Sequence, residues 1–277
     1  MTTAVAGPTA VEPTVPGAPA RRAGPVVLGF SGLAGLLLLI ELLPRLGVVS
    51  ADYLPPTSRI AVALADEMGT AAFWTALGDT LTAWALGLTI ATVAGVLVGV
   101  AIGAVPVLRA ATASTVEFLR PIPSVALIPI AVLLYGTSLR SSLLLIVYAA
   151  FWQVLVQVVA GVHDVDPVAA ETARSYRLGP WYRIRYLLWP TALPYVFTGV
   201  RLAAAVALVL AITAELVIGA PGLGAQIAVA QTSNAIPLLY ALILVTGLLG
   251  VAINLLARAL ERRMLAWHQS VRGEVTS

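Results

Sequence analysis

Six stretches of this chain are long and apolar enough to be read as bilayer-crossing helices, and they govern what it can fold into. Crossing the hydrocarbon core takes about 20 apolar residues in a helix. The stretches are Val26 to Leu43, Leu81 to Val105, Pro121 to Tyr135, Leu143 to Val162, Val196 to Ile218 and Ile236 to Leu256. The third carries Pro121, Pro123 and Pro129, which kink or break a helix. A water-soluble fold does not fit the pattern. Only 10% of the 277 residues are charged, too few to cover a water-facing surface. The expected fold class is all-α: a polytopic membrane protein with about six transmembrane helices.

An even number of crossings puts both termini on one side, and the arginines say which. Arg21, Arg22, Arg109, Arg174, Arg177, Arg183, Arg185, Arg258, Arg262, Arg263 and Arg272 fall on the N-terminal side; Arg45, Arg59 and Arg140 fall on the other. Basic residues accumulate in cytoplasmic loops, so a multi-pass protein of the cell membrane with both termini in the cytoplasm is expected. Residues 1–23 read as a disordered cytoplasmic tail, 24–264 as the membrane domain and 265–277 as a cytoplasmic C-terminal tail. Arg21-Arg22 before an apolar run resembles the start of a signal peptide. The run is longer than a signal core and no small-residue cleavage site follows, so an uncleaved first span is expected. Val49 to Thr80 is the main external stretch, with a short amphipathic helix near Ile60 to Met68.

Composition also excludes chemistry. The chain has no cysteine and no lysine; all 16 basic residues are arginine. Thiolate nucleophiles, Schiff-base enzymes and the phosphate-binding lysine of a Walker A loop are therefore excluded. His163 and His268 have no acidic or histidine partner at ligand spacing, and HExxH is absent. No metal, no other cofactor and no nucleic-acid partner is expected.

Two patterns point to specific contacts. Gly87, Ala91, Gly95, Gly99 and Gly103 recur every four residues and form one stripe of the second span. Small residues let a neighbouring backbone approach closely, though the stripe does not say whether that neighbour belongs to this chain or to a second copy. The other pattern is a loop at about 163–192, where Arg174, Arg177, Arg183 and Arg185 crowd among Gly179, Pro180 and Pro190. Asp166 is a good N-cap and Pro167 a good first helical residue. A helix over Val168 to Leu178 is predicted, ended by Gly179 in a left-handed cap and by Pro180. A second short helix runs from Pro180 to about Leu188, before Pro190 and Pro194 at the entry to the fifth span. On the first helix Ala169, Ala173 and Tyr176 share a side, and Glu171 is spaced to pair with Arg174. Docking into a groove on another protein and lying on lipid headgroups fit these residues equally well.

Ionisable groups within spans are costly and are functional candidates by default. Glu117, Arg120, Arg201 and Glu215 qualify, and Gln153 and Gln157 lie one turn apart in the fourth span. Arg120 either lines a pathway and faces an anion or snorkels at the cytoplasmic end, the plainer reading. Arg201 is placed to meet a carboxylate or headgroups. Glu215 is expected near the external end, meeting a binding protein or water. The two glutamines face a pore or satisfy a neighbouring helix.

Several strings in order resemble the binding-protein-dependent ABC transporter permeases, most closely the nitrate, sulfonate and taurine branch. Glu171-Thr172-Ala173 followed by Leu188-Trp189-Pro190 and Ala192-Leu193-Pro194 is similar to that family's "EAA…G…LP" loop. Leu119-Arg120-Pro121-Ile122-Pro123, Ala126 to Pro129 and Tyr135-Gly136 resemble its "RPIP…ALIP…(F/Y)G" segment. Gly161-Val162 with Val165-Asp166-Pro167, Gly199 to Ala203, Ala214-Glu215 and Gly222-Leu223-Gly224 match its "GV…VDP" and "G(L/V)RLA…AE…GLG" runs. The chain departs at one place: counting back from Pro190, the motif glycine falls at Arg177, and Gly179 offers the turn instead.

The resemblance implies a type I (MetI-like) ABC importer permease with no catalysis of its own. It implies two copies of a separate ABC ATPase subunit, a second permease copy (homodimer or heterodimer) and an extracytoplasmic substrate-binding protein. The cargo would be a small solute such as a sulfonate, taurine, nitrate or a vitamin precursor. It makes the loop the ATPase-coupling element, carried by Asp166, Pro167, Ala169, Glu171, Thr172, Ala173, Arg174, Tyr176, Arg177, Gly179 and Pro190. The rival reading is a membrane transporter or enzyme that needs no ATPase partner. It predicts a cluster of ionisable residues at mid-membrane, and the sequence offers none.

Overall fold

The computed structural model describes residues 25–264, and every regular element among them is helical. Arg21, Arg22, His268, Arg272 and the two expected tails lie outside the described residues. Five long apolar helices form the frame: α1 (Pro25–Arg45), α3 (Ala71–Ala104), α6 (Leu139–His163), α9 (Trp189–Ile218) and α11 (Ile236–Met264). The short helix expected in the stretch after α1 is α2 (Thr57–Met68). α3 begins ten residues earlier than its apolar window, because Thr70 caps it: the Thr70 hydroxyl accepts from the Phe73 N–H at 3.2 Å. Asp79 and Thr80 therefore belong to the helix and not to the loop before it.

The glycine stripe finds its partner within this chain. Gly87, Ala91, Gly95, Gly99 and Gly103 are all buried. A Cβ on Gly87 would overlap Ile146, and Cβ atoms on Gly95, Gly99 and Gly103 would come within 2.8 Å of Val154, Val158 and Val162. Each glycine thus meets the residue 59 positions later on α6, so the two helices run parallel and side by side for more than four turns. Van der Waals contact of this closeness is what holds helices together where lipid supplies no hydrophobic drive.

A parallel pair of spanning helices demands a connection that recrosses the bilayer. That connection holds α4 (Pro106–Leu119), a 3₁₀ turn (Ser124–Leu127) and α5 (Ile128–Tyr135). The two halves are bent by 84° at a break of four residues, Arg120 to Pro123. The sixth crossing is thus a broken one that begins at Pro106, fifteen residues before the expected stretch. Arg109 fixes its start, donating from Nη2 to the last-turn carbonyl of Gly103 at 2.7 Å.

α9 runs antiparallel to α6. Gly199 of α9 lies against Gln157 and Val154, and Gly161 of α6 lies against Tyr195. α3, α6 and α9 form the core, with Leu145, Ile146, Val154, Val158, Ala207 and Ala211 almost wholly enclosed. α1 stands apart, with its spanning window entirely unburied. Among the described residues it is tied through its C-terminal part, where the Thr57 hydroxyl donates to the Leu37 carbonyl and the Glu41 carboxylate accepts from the backbone N–H and the hydroxyl of Ser58.

Overpacking tests the stripe. Gly99→Leu should destabilise the isolated chain by roughly 1–3 kcal/mol or more, seen as a lower melting midpoint in detergent. Gly247→Ala, at a helical glycine with nothing within 4 Å, should leave the midpoint unchanged or raise it.

Candidate functional site

The charged loop folds into a helix and a turn that project from one face of the bundle. α7 (Pro167–Ser175) starts where the sequence places it: Asp166 Oδ1 accepts from the Val168 N–H at 2.8 Å, and Pro167 occupies the first turn. Its end differs from expectation. The helix stops at Ser175, and the left-handed residue is Arg177, with φ 52°, not Gly179. Gly179 is extended, at φ −61° and ψ 159°. The reason is a closed pair of bonds across the helix end: Leu178 N–H to Ala173 C=O at 3.0 Å and Arg177 N–H to Arg174 C=O at 2.9 Å. This arrangement requires one left-handed residue just past the cap, and the register puts Arg177 there. An arginine holds the conformation that glycine adopts more cheaply.

The second half of the loop also differs. α8 (Pro180–Arg183) does not end before the next span; it continues through a π turn (Ile184–Leu188) into α9, one helix of 39 residues over Pro180–Ile218. Trp189 N–H donates to Ile184 C=O, five residues back. The wider turn relaxes the ladder where Pro190 supplies no N–H, so Pro190 and Pro194 ride within the helix.

Between α7 and the π turn lies an open groove of about 600 Å³, lined by Asp166, Ala169, Thr172, Ala173, Tyr176 and Tyr186 among others. Ala173 is buried at its base, while Glu171, Arg174, Tyr176 and Arg177 are exposed. The expected Glu171–Arg174 pair does not form; among the described residues the ion pairs are Arg45–Glu41 and Arg201–Glu261. Exposed helix-surface pairs gain little over hydration. The sequence reading missed the aromatics. Trp181, Tyr182 and Tyr186 are 70%, 55% and 68% exposed, and Tyr182 stacks on Tyr186 at 6.1 Å. Large apolar groups exposed beside charge are the signature of a surface meant to be covered. The loop is anchored to the bundle by Tyr195 Oη, which donates to Asp164 Oδ2 at 2.8 Å.

The intramembrane candidates separate. Glu215 does not face water or a partner: it is 0% exposed. Its Oε2 accepts from Thr80 Oγ1 and from the Gly224 N–H, both at 2.9 Å, and Thr80 Oγ1 in turn accepts from the Leu223 N–H at 2.9 Å. The carboxylate thereby caps α10 (Leu223–Thr232), a helix that the sequence reading did not anticipate. Gly222 and Gly224 exist for this contact. Gly222 has φ 149°, and a Cβ on either glycine would overlap Glu215. The readable signal was a glutamate near the end of a span, seven residues before Gly222-Leu223-Gly224.

Arg201 takes the carboxylate option, donating from Nη1 to Glu261 of α11 at 2.9 Å. Gln153 and Gln157 are half-buried beside Gly199 of α9. Glu117 is exposed on α4. Arg120 is also exposed, as the C-cap of α4. Tyr148 Oη donates to the carbonyl of Leu119 at 2.6 Å. Tyr148 lies close to the middle of α6 (Leu139–His163), so the break at Arg120 sits level with the middle of that helix.

Close-packed apolar spans, one broken crossing and an exposed charged loop define a polytopic membrane protein. The chain belongs to the family of binding-protein-dependent transport system inner membrane components, whose pattern matches residues 91–266. It is 31% identical over 251 residues to the taurine transport system permease protein TauC of Escherichia coli (strain K12), covering 89% of this chain and 91% of that one. It is 27% identical over 240 residues to the putative aliphatic sulfonates transport permease protein SsuC of Bacillus subtilis (strain 168), covering 87% of each. The bicarbonate transport system permease protein CmpB of Synechocystis sp. is 28% identical over 247 residues, covering 84% of this chain and 87% of that one. The fold is shared with the crystal structure of an amino acid ABC transporter, at TM-score 0.60 and 20% identity over 72% of this chain and 97% of that one. An inward-facing MetNI methionine ABC transporter gives TM-score 0.59 at 18% identity, over 69% and 95%. The chain is therefore a multi-pass ABC importer permease with the MetI-like fold, and a transporter that dispenses with an ATPase is not favoured.

Two substitutions test the local geometry. Arg177→Gly should stabilise the end of α7 by about 1 kcal/mol, slowing exchange of the Leu178 amide by about fivefold. Gly222→Ala should dislodge α10 from Glu215 and lower the melting midpoint more than Gly247→Ala does.

Proposed function

We infer that this permease works as one of two membrane subunits with two ABC ATPase subunits and an extracytoplasmic substrate-binding protein, importing a small solute. Both termini and the α7 loop would face the cytoplasm, in keeping with the arginine distribution. The absence of lysine supports a separate ATPase, since no Walker A loop can be built from this chain. The names of the relatives favour a sulfonate, taurine, nitrate or bicarbonate-like cargo.

The observation that carries the coupling role is the surface of α7: Glu171, Arg174, Tyr176 and Arg177 exposed beside a groove and three exposed aromatics. Asp166 and Pro167 set the helix start, Ala169, Thr172 and Ala173 form the groove wall, and Gly179 and Pro190 direct the chain back into the bundle. Closure of two ATPases would push on α7. The Asp164–Tyr195 bond and the Gly161 contact would pass that push to α6 and α9 as a rigid body.

Co-expression with candidate ATPase subunits, followed by purification on a tag carried by this chain, tests the reading. Wild type should retain an ATPase and hydrolyse ATP in lipid. Glu171→Ala combined with Tyr176→Ala should reduce retained or coupled hydrolysis by about tenfold or more. Retention of no ATPase by wild type under any condition would overturn the assignment.

A further inference from the structure

We propose that Arg120, at the break between α4 and α5, is an anion-recognition group inside the translocation passage, so that the cargo crosses as an anion. The inference rests on the permease reading above and deepens it.

Depth is the first support. Phe151 is the central residue of α6 (Leu139–His163), and Tyr148 is less than one turn away. The Tyr148–Leu119 hydrogen bond of 2.6 Å holds the residue before Arg120 at that level. α4 is long enough to reach that level, its 14 residues measuring about 21 Å. Against a hydrocarbon core of about 30 Å, the middle of α6 is well inside.

Exposure without a partner is the second support. Arg120 is exposed. Among the described residues no carboxylate forms an ion pair with it, not even Glu117 one turn back. A guanidinium at this depth is too costly to leave facing hydrocarbon. The backbone around it is irregular over Arg120 to Pro123, and broken backbone at membrane depth is tolerated where it lines a cavity or is covered by protein. Charge and broken helix at one point favour a water-filled passage there.

The adjoining space has the matching polarity. A groove of about 880 Å³ is lined by Arg140, Leu119, Tyr135, Tyr148, Phe151 and Trp152 among others, and no carboxylate lines it. Arg140 sits in the first turn of α6 at one end, and Leu119, beside Arg120, lies near the other. Arg140 is the one charged residue that lines the groove, and Arg120 adjoins it in sequence through Leu119.

The lack of native cysteine allows a direct test. Ser124→Cys places a single thiol in this chain four residues past Arg120. In the assembled complex with its ATPase, labelling of this chain is followed by mass, using anionic 2-sulfonatoethyl and cationic 2-(trimethylammonio)ethyl methanethiosulfonates. Both reagents should reach the thiol. The ratio of anionic to cationic rates should fall about tenfold or more on Arg120→Gln and persist in Arg120→Lys. An unchanged ratio in Arg120→Gln overturns anion recognition while leaving the permease reading intact. So does failure of both reagents in a complex that hydrolyses ATP, since the site is then sealed by lipid or a second subunit. Failure of any ATPase to assemble strikes instead at the permease reading.

Discussion

The parallel contact between α3 and α6 is the constraint on which the rest of the molecule depends. It forms because Gly87, Gly95, Gly99 and Gly103 present bare backbone to Ile146, Val154, Val158 and Val162. In lipid no hydrophobic force draws two apolar helices together, so closeness itself must supply the attraction. Once these two helices lie parallel, the segment between them has to return across the membrane. It has about 34 residues in which to do so, interrupted by Pro106, Pro121, Pro123, Pro129 and Gly136. A straight helix is not available to Pro121, Pro123 and Pro129, and the crossing breaks. The broken helix is thus a consequence of the stripe as much as of the prolines.

Glu215 plays a comparable part at the opposite end of the bundle from the α7 loop. Its carboxylate joins the end of α9 and the first turn of α10 to Thr80 of α3, 135 residues away. An isolated buried carboxylate is expensive, and hydrogen bonds with a helix N-terminus offset part of that cost. The two glycines that admit it leave no room for a larger residue. The natural reading of an acidic residue near a membrane surface, exposure to water or to a partner protein, fails because a short helix folds back over it.

What the sequence made legible follows a physical division. Helix existence, the α7 N-cap at Asp166 and the packing role of the stripe are set by neighbours along the chain or by one helical face, and all three were readable. The identity of the stripe's partner was not, since four-residue spacing on α3 is blind to α6. The start of α3 was misjudged because Asp79 and Thr80 are polar, and Thr80 is buried only through its bond to Glu215, 135 residues away. Arg177 misled for the reverse reason. Glycine is the usual left-handed residue, so Gly179 drew the assignment. The register of the Ala173–Leu178 bond, not residue preference, decided which position turns. The aromatics Trp181, Tyr182 and Tyr186 were passed over because apolar residues next to a span are commonly taken as part of it.

In the proposed coupling role, α6 would carry a push on the α7 loop into the interior as a rigid body. At one end it leads directly into the α7 loop, braced by Asp164 and Tyr195. At its middle Tyr148 holds the end of α4 just before the break. In its first turn the Ser141 hydroxyl donates to the carbonyls of Ala131 and Gly136, which hold the end of α5. Along its length it is locked to α3 by the stripe and to α9 through Gly199. A helix so held moves as a unit with its neighbours. A displacement imposed at Asp164 would then carry the loop-side half of the broken crossing through Tyr148 and the far half through Ser141. The soft point between those halves is the irregular backbone from Arg120 to Pro123, and that is where a rigid-body rocking of this bundle would be expressed as a change in shape.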